Sequence, residues 1–180
     1  MDLVLEKVNG QPAHLPVELR RCGPEDLDAM EQLQREVHAG MPHPEQFVPD
    51  TRDQLAACMA DGVCVGVWDG ETLGAYFTLR CMGSSPENYA AFMGLPPAEW
   101  PRWANADSAV VCAAWRGNGL QRTMARAACD WLPEGIVGLG ATVSPDNAYS
   151  LRNALAEGFE IVCRRPMYGG FDRYLLRKIL

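Results

Sequence analysis

The stretch "AVVCAAWRGNGLQRTMARAACDW", residues 109–131, decides how the rest of the chain is read. An apolar run ends at Ala114, and Arg116, Gly117 and Gly119 follow at once. Leu120, Met124, Ala127 and Trp131 then recur at helical spacing. This is a strand passing through a glycine turn into a helix. A helix start leaves backbone N–H groups free and carries partial positive charge, and glycines let a phosphate approach the backbone closely. "RGNGL" is therefore a candidate anion site. It lacks the Lys and Ser/Thr of a P-loop and the third glycine of a dinucleotide fingerprint. A lone G-x-G also suits a plain tight turn, so the local pattern leaves both readings open.

Working outward, residues 104–114 read as the strand before this turn and residues 119–132 as the helix after it, stopped by Pro133 and Gly135. Upstream, "VCVGVWDGETLGAYFTLR" (63–80) is two strands joined at Asp69-Gly70. "TRDQLAACMADG" predicts a short helix capped by Thr51 and stopped by Gly62. Pro24, Glu25 and Asp26 open a helix whose apolar face is Leu27, Met30, Leu33 and Val37, ended by Gly40 and Pro42. "PVELRRC" (16–22) alternates like a half-buried strand, and residues 1–15 read as a short strand or a loose arm.

Residues 83–103, with several prolines and aromatics, carry too much apolar surface for a linker and form an insertion. Downstream, residues 136–143 predict a strand. Ser144 and Pro145 open a helix ending at Gly158, and two closing strands flank "PMYGG". One mixed α/β domain over 1–180, built on a central sheet, accommodates this order.

The chain has 180 residues, 48% of them hydrophobic and 22% charged, enough for one full-sized core. A formal charge of −7 argues against a nucleic-acid surface. No apolar run is long enough to cross a bilayer, and the N-terminal residues lack the pattern of a secretion signal. The seven cysteines show no C-x-x-C spacing, and the histidines are only His14, His38 and His43, so no zinc-type cluster is expected. Most of the thiols lie in apolar runs, so buried reduced cysteines and a cytoplasmic home are the expectation.

"VVCAAWRGNGLQ" resembles the signature of the GNAT superfamily of acetyl-CoA-dependent N-acetyltransferases, V-x-P-x-x-(R/Q)-x-x-G-x-(G/A). Val111, Arg116 and Gly119 match; Ala113 replaces the usual Pro, and Gln121 the final small residue. "TVSPDNAYSLRNALAEGF" resembles the family's next strand and helix, down to the Gly158–Phe159 pair and the position of Asn147 eleven residues earlier. The resemblance is clearest over 104–164 and extends loosely over 16–180. It implies an α/β (α+β) fold with a mixed, largely antiparallel sheet flanked by helices, and acetyl transfer from acetyl-CoA to an amine, with no metal.

The resemblance also implies residue roles. The backbone of Gly117, Asn118, Gly119, Leu120, Gln121 and Arg122, beside Arg116, would grip the coenzyme A diphosphate. Ala109, Val110 and Val111 would pair with the pantetheine arm, with the Val111 N–H on the thioester carbonyl. Gly138 and Gly140 would suit a close approach in the partner strand, or a bulge. Asn147 and Ser150 would bond the arm or simply start the helix. The partner implied is an amine-bearing small molecule or peptide, not nucleic acid or membrane. A homodimer is one expectation, because relatives often pair.

Two departures stand out. The family's usual acid, a Tyr seven residues after the Asn, is Ala154 here, and a Glu found in some relatives five residues before the Asn is Thr142. Tyr168 is the candidate acid, or a wall of the acceptor site. Asp107 is the candidate base if it shares the face of Val111, or else a surface carboxylate. Tyr149, His38 and His43 are weaker candidates, and Cys112 reads as core. The alternative to an enzyme is a non-catalytic acyl-CoA-binding regulatory or sensing module; an ATP-binding loop is disfavoured by the missing Lys.

Overall fold

A computed structural model describes residues 1–180. The chain forms one eight-stranded sheet in sequence order except at its end, β1-β2-β3-β4-β5-β6-β8-β7. The strands are β1 (Asp2–Val8), β2 (Gln11–Arg21), β3 (Val63–Asp69), β4 (Thr72–Arg80), β5 (Trp103–Val111), β6 (Gly138–Val143), β7 (Glu160–Met167) and β8 (Phe171–Ile179). All neighbours are antiparallel except β5 and β6. The helices are α1 (Leu27–Ala39), α2 (Arg52–Asp61), the single turn α3 (Tyr89–Phe92), α4 (Leu120–Cys129) and α5 (Ala148–Ala156). The mixed, largely antiparallel sheet is as expected.

Two cores follow from the alternation of side chains along the strands. Val63, Val65, Val67, Ala75, Phe77 and Leu79 face α4, whose Leu120, Met124 and Ala128 close over them. Cys64, Trp68, Leu73, Tyr76 and Val110 face α1 and α2. β3 is covered on both sides, which explains its unbroken apolar run. α5 lies against β6 and β8 through Leu151 and Ala154.

Several boundaries differ from the sequence reading. Residues 1–15 are not a loose arm: β1 and most of β2 pair as a hairpin around Asn9 and Gly10, both left-handed. The expected cap at Ser144 is displaced: the chain turns there, and Asn147 caps α5 by accepting the Ser150 N–H. α4 ends at Cys129 and β6 starts at Gly138, both shorter than expected. Of the seven cysteines, all free, only Cys22, Cys58 and Cys64 are fully buried.

The 83–103 insertion is pinned from within. Asn88, fully buried, caps α3 and donates to the carbonyls of Gly83, Trp100 and Trp103. α3 then lies flat on β6. A methyl group at Gly140 would come within 2.6 Å of Tyr89 Cβ, and one at Gly138 within 2.7 Å of the Trp103 ring. These glycines therefore admit the insertion's own aromatics, which corrects their assignment to a bulge or to the approach of a ligand.

Tyr89 Cβ cannot swing away as a flexible side-chain end would. Gly140→Ala is therefore expected to destabilise the fold by about 1–3 kcal/mol. Urea denaturation midpoints would measure this, and an unchanged midpoint would mean that α3 floats on the sheet.

Candidate active site

The site begins where β5 and β6 separate. Their parallel pairing runs from Trp103↔Gly138 to Ala106↔Ala141 and stops. β6 continues against β8, and β5 against β4. The cause lies partly in β5, where a bulge sets four residues, Ala106 to Ala109, against three, Leu79 to Phe77. Within the bulge the Ser108 N–H goes to Thr78 Oγ1, and beyond it the Cys112 N–H goes to the Gly74 carbonyl, both on β4. By alternation, the N–H groups of Ala109 and Val111 point the other way, into the gap. Val110 does not share this role: its backbone faces β4 and its side chain is core.

The glycine turn lies at the end of the same strand. Gly117 (φ 86°) and Gly119 (φ 69°) are both left-handed, a conformation that glycine adopts without cost. The ring of Trp115 lies so close over β4 that a methyl group at Gly74 would meet it at 2.2 Å, which fixes the start of the turn. The amides of Gly117, Asn118, Gly119, Leu120 and Gln121 find no protein acceptor. The Arg122 amide does, bonding the Gly119 carbonyl at 3.0 Å, so it drops out of the expected set. Its side chain still curls back over Gly119. The Asn118 side chain is also spent, tying the turn to both backbone groups of Lys7. Lys7 itself lies nearest to Gly117, a placement that no sequence signal announced.

Gln121 does not fill the turn. Its side chain reaches sideways to Asn153 at 2.9 Å and to Ser150 at 3.5 Å, bracing α4 against α5. A cavity of about 540 Å³ runs from this turn along Val111 to the gap, walled on the other side by Asn147, Ser150 and Ala154. Five exposed or gap-facing amides in a row at a helix start, two left-handed glycines and an unpaired strand edge form a donor set suited to an extended ligand with a diphosphate.

A second cavity, about 550 Å³, opens where α3 and the β7–β8 turn line the gap. The two cavities share Gln46, Phe47, Asp107, Ser108 and Thr142, which form a throat. The bulge gives Asp107 its place there. Ala106 and Ala109 both keep to the α4 side opposite Leu79 and Phe77, so Asp107 turns to the opposite face from Val111. This corrects both the expectation of a shared face and that of a surface carboxylate. Asp107 lies 2.7 Å from Arg80 Nε, and Arg80 also reaches Asp50 at 3.3 Å. Ser108 donates to Asp50 at 2.5 Å. Burial pushes the Asp107 carboxyl up to about 6, against the pull of Arg80. Burial raises Asp50 as well.

Tyr168 reaches the throat from the β7–β8 turn. The Gly170 N–H closes that turn on the Met167 carbonyl, with Tyr168 (φ 53°) and Gly169 (φ 81°) at its centre. Such turns favour Asn-Gly, and a left-handed Tyr costs on the order of 1 kcal/mol or more. The hydroxyl of Tyr168 bonds that of Tyr89 and, at 2.8 Å, Thr142 Oγ1. Burial raises the Tyr168 hydroxyl above its ordinary value. Burial, and next the nearby Asp107 charge, raise Tyr89 well above its own. A line of Asp107, Tyr89, Tyr168 and Thr142 thus spans the throat. Sequence reasoning named Asp107 and Tyr168 but missed Tyr89, because nothing in residues 83–103 shows that α3 folds back onto β6.

The weaker candidates fall away. His38 packs its ring against Phe47 at 6.3 Å, His43 sits on the exposed Glu45, and neither lines either of these two cavities. Tyr149 borders the first cavity but is 61% exposed and makes no contact with the throat line. Burial raises the Cys112 thiol, so no reactive thiolate forms there.

No family model matches the chain, and no curated protein matches it in sequence. Solved structures do. A GNAT-family acetyltransferase from Streptococcus pneumoniae superposes with a TM-score of 0.68 at 13% identity, over 91% of this chain and 99% of the other. A GNAT superfamily phosphinothricin acetyltransferase from Sinorhizobium meliloti, in complex with acetyl-CoA, gives 0.66 at 17%, over 91% and 88%. The PaiA N-acetyltransferase from Thermoplasma acidophilum, in complex with coenzyme A, gives 0.63 at 14%, over 91% and 99%. The chain therefore has the fold of the GNAT acetyltransferases.

The raised Asp107 carboxyl has a consequence for stability. The unfolded chain releases this proton in the ordinary carboxylate range, and the folded chain only near 6. Between those values the folded state holds the extra proton, so this group makes stability fall as pH rises, by up to about 3 kcal/mol between about pH 4 and 6. Asp107→Asn is expected to flatten that fall in urea melts across the window. An equally steep fall in the variant would assign the titration to other groups, Asp50 first.

Proposed function

We propose that the chain is an acetyl-CoA-dependent N-acetyltransferase that modifies a primary amine by direct attack. The observation that carries this reading is the throat, where an amide-lined cavity suited to a diphosphate ligand meets a second cavity at a buried carboxylate. The folds crystallised with acetyl-CoA and coenzyme A support the same choice of ligand. Gly117 to Gln121 hold the diphosphate through their amides, with Arg116, Lys7 and the Arg122 side chain adding charge. Ala109 and Val111 pair with the arm, and Asn147 and Ser150 line its other side. When bound, acetyl-CoA supplies an acetyl group activated as a thioester.

The chain's own residues then handle charge and protons. The Val111 N–H receives the negative charge that develops on the carbonyl oxygen. Asp107, ionised above about pH 6, takes the proton of the acceptor ammonium. Tyr168 Oη gives a proton to the departing sulfur, and Thr142, in the place of the family's Glu, holds that hydroxyl. Tyr89 links the two, so the proton gained at Asp107 replaces the one lost at Tyr168. The ammonium gives up two protons, one passed to solvent through Asp107 before attack and one taken as the amide forms; only the second replaces the one lost at Tyr168, so the bond to nitrogen forms, the bond to sulfur breaks and one proton is released per turnover. This line answers the missing Tyr at Ala154. The alternative of a binding module without turnover has only the two departures in its favour.

Calorimetry with coenzyme A, and thiol release from acetyl-CoA over a panel of amines, test the reading. Coenzyme A is expected to bind, and Gly119→Val, which forces a branched side chain into a left-handed position, is expected to weaken it at least tenfold, or about 1.4 kcal/mol. Tyr168→Phe is expected to lower kcat roughly a hundredfold with little change in KM. Binding without transfer to any amine would leave the module standing; no binding would defeat both.

The pH profile gives a second check. The kcat/KM of the wild type is expected to rise through about pH 6, and the limb is expected to vanish in Asp107→Asn. A limb preserved in that variant would remove Asp107 from the base role.

A further inference from the structure

Resting on that reading, we infer that the acceptor is a small zwitterion, a primary amine that also carries a carboxylate, and that Arg173 receives the carboxylate. Arg173 lines the second cavity and is only 4% exposed, yet no carboxylate pairs with it. Its guanidinium bonds only two carbonyls, those of Asp172 at 2.9 Å and Glu45 at 2.7 Å. Its neighbour Asp172 is taken by Arg164 at 2.7 Å. Directly across the β7–β8 ladder stands Arg165, which also has no acid and bonds only the Phe92 carbonyl. Like charges opposed across a sheet repel, and a buried guanidinium without a counter-ion is costly. That end of the cavity is built to take an anion.

The other end has the opposite imbalance. Asp50 and Asp107 share the single guanidinium of Arg80. Two carboxylates on one cation leave a surplus negative charge at the throat, where the reacting amine must arrive as an ammonium. Tyr168 lies between the two ends. Arg173 stacks over its ring, 5.8 Å from the centroid, while its hydroxyl bonds Tyr89 beside Asp107. The charged ends thus line one cavity with Tyr168 between them, a span for a small molecule. A carboxylate held at Arg173 would fix the amine at Asp107, turning binding energy into orientation. An Arg serves this better than a Lys because its planar fork matches a carboxylate with two bonds.

The test compares amino acids, including α-, β- and γ-amino forms, with their carboxamides and decarboxylated amines, by thiol release from acetyl-CoA. The expected result is a kcat/KM at least tenfold higher for the acids. Arg173→Met is expected to raise KM for the acid at least thirtyfold while changing the carboxamide less than threefold, with Arg173→Lys between them. Melting curves of both variants check that the Glu45 contact is not the source. Carboxamides used as well as the acids, an equal loss on both substrates in Arg173→Met, or transfer only to peptides or polyamines would overturn the inference. Coenzyme A calorimetry on the same preparations separates the failures. Binding kept without a preference for the acid overturns only the zwitterion, whereas no binding overturns the reading beneath it as well.

Discussion

The site depends on a pair of strands that part. β5 and β6 are the only parallel neighbours in the sheet, and they lose each other after Ala106 and Ala141. A strand edge inside a protein is normally paired, because a buried amide without an acceptor costs about what a lost hydrogen bond does. Here the Ala109 and Val111 amides face a cavity instead. Open to the cavity, they stay accessible to solvent or to a ligand with its own acceptors. The same logic governs the turn that follows, where Gly117 to Gln121 leave their amides open. Strand edge and helix start are separated by only one short turn, so a single stretch of chain presents two groups of acceptor-seeking amides, at Ala109 and Val111 and again at Gly117 to Gln121.

The bulge in β5 makes this edge useful for chemistry. It lets Val111 face one side of the sheet while Asp107, four residues earlier, faces the other. Without the extra residue, both would point to the α4 side, and the throat between the two cavities would have no carboxylate. The same shift buries Asp107 with Arg80 and Asp50, and the burial raises its pKa toward the neutral range. Geometry and basicity at this position therefore have one cause. The left-handed Tyr168 shows the same exchange of comfort for position: its turn would be easier with Asn, and its hydroxyl would then be absent from the throat.

What could be read from the sequence follows the range of the forces involved. The glycine turn, the Asp69-Gly70 hairpin, the Thr51 cap and the helix faces rest on local chemistry, and they are legible. The hairpin at Asn9-Gly10 carried its turn signal too, but its strands are too polar to alternate clearly, and the pairing of β2 with β3 completes it. Tyr89 and Arg173 were not legible. Tyr89 matters because Gly140, far along the chain, leaves room for it, and Arg173 because no acid happens to face it. The orientation of Asp107 turned on a bulge that the sequence does not mark. Arg122 illustrates a finer limit: whether an amide at a helix start is free depends on where the first turn closes, a matter of one residue.

The central claim is that the amides of Ala109, Val111 and Gly117 to Gln121 act together as one binding edge. Amide hydrogen exchange, followed residue by residue by NMR with and without coenzyme A, tests it most directly. The account predicts that these amides slow together when coenzyme A is added, while Val110 and Arg122, already bonded within the fold, change little. Slowing confined to other segments, or none at all, would contradict it.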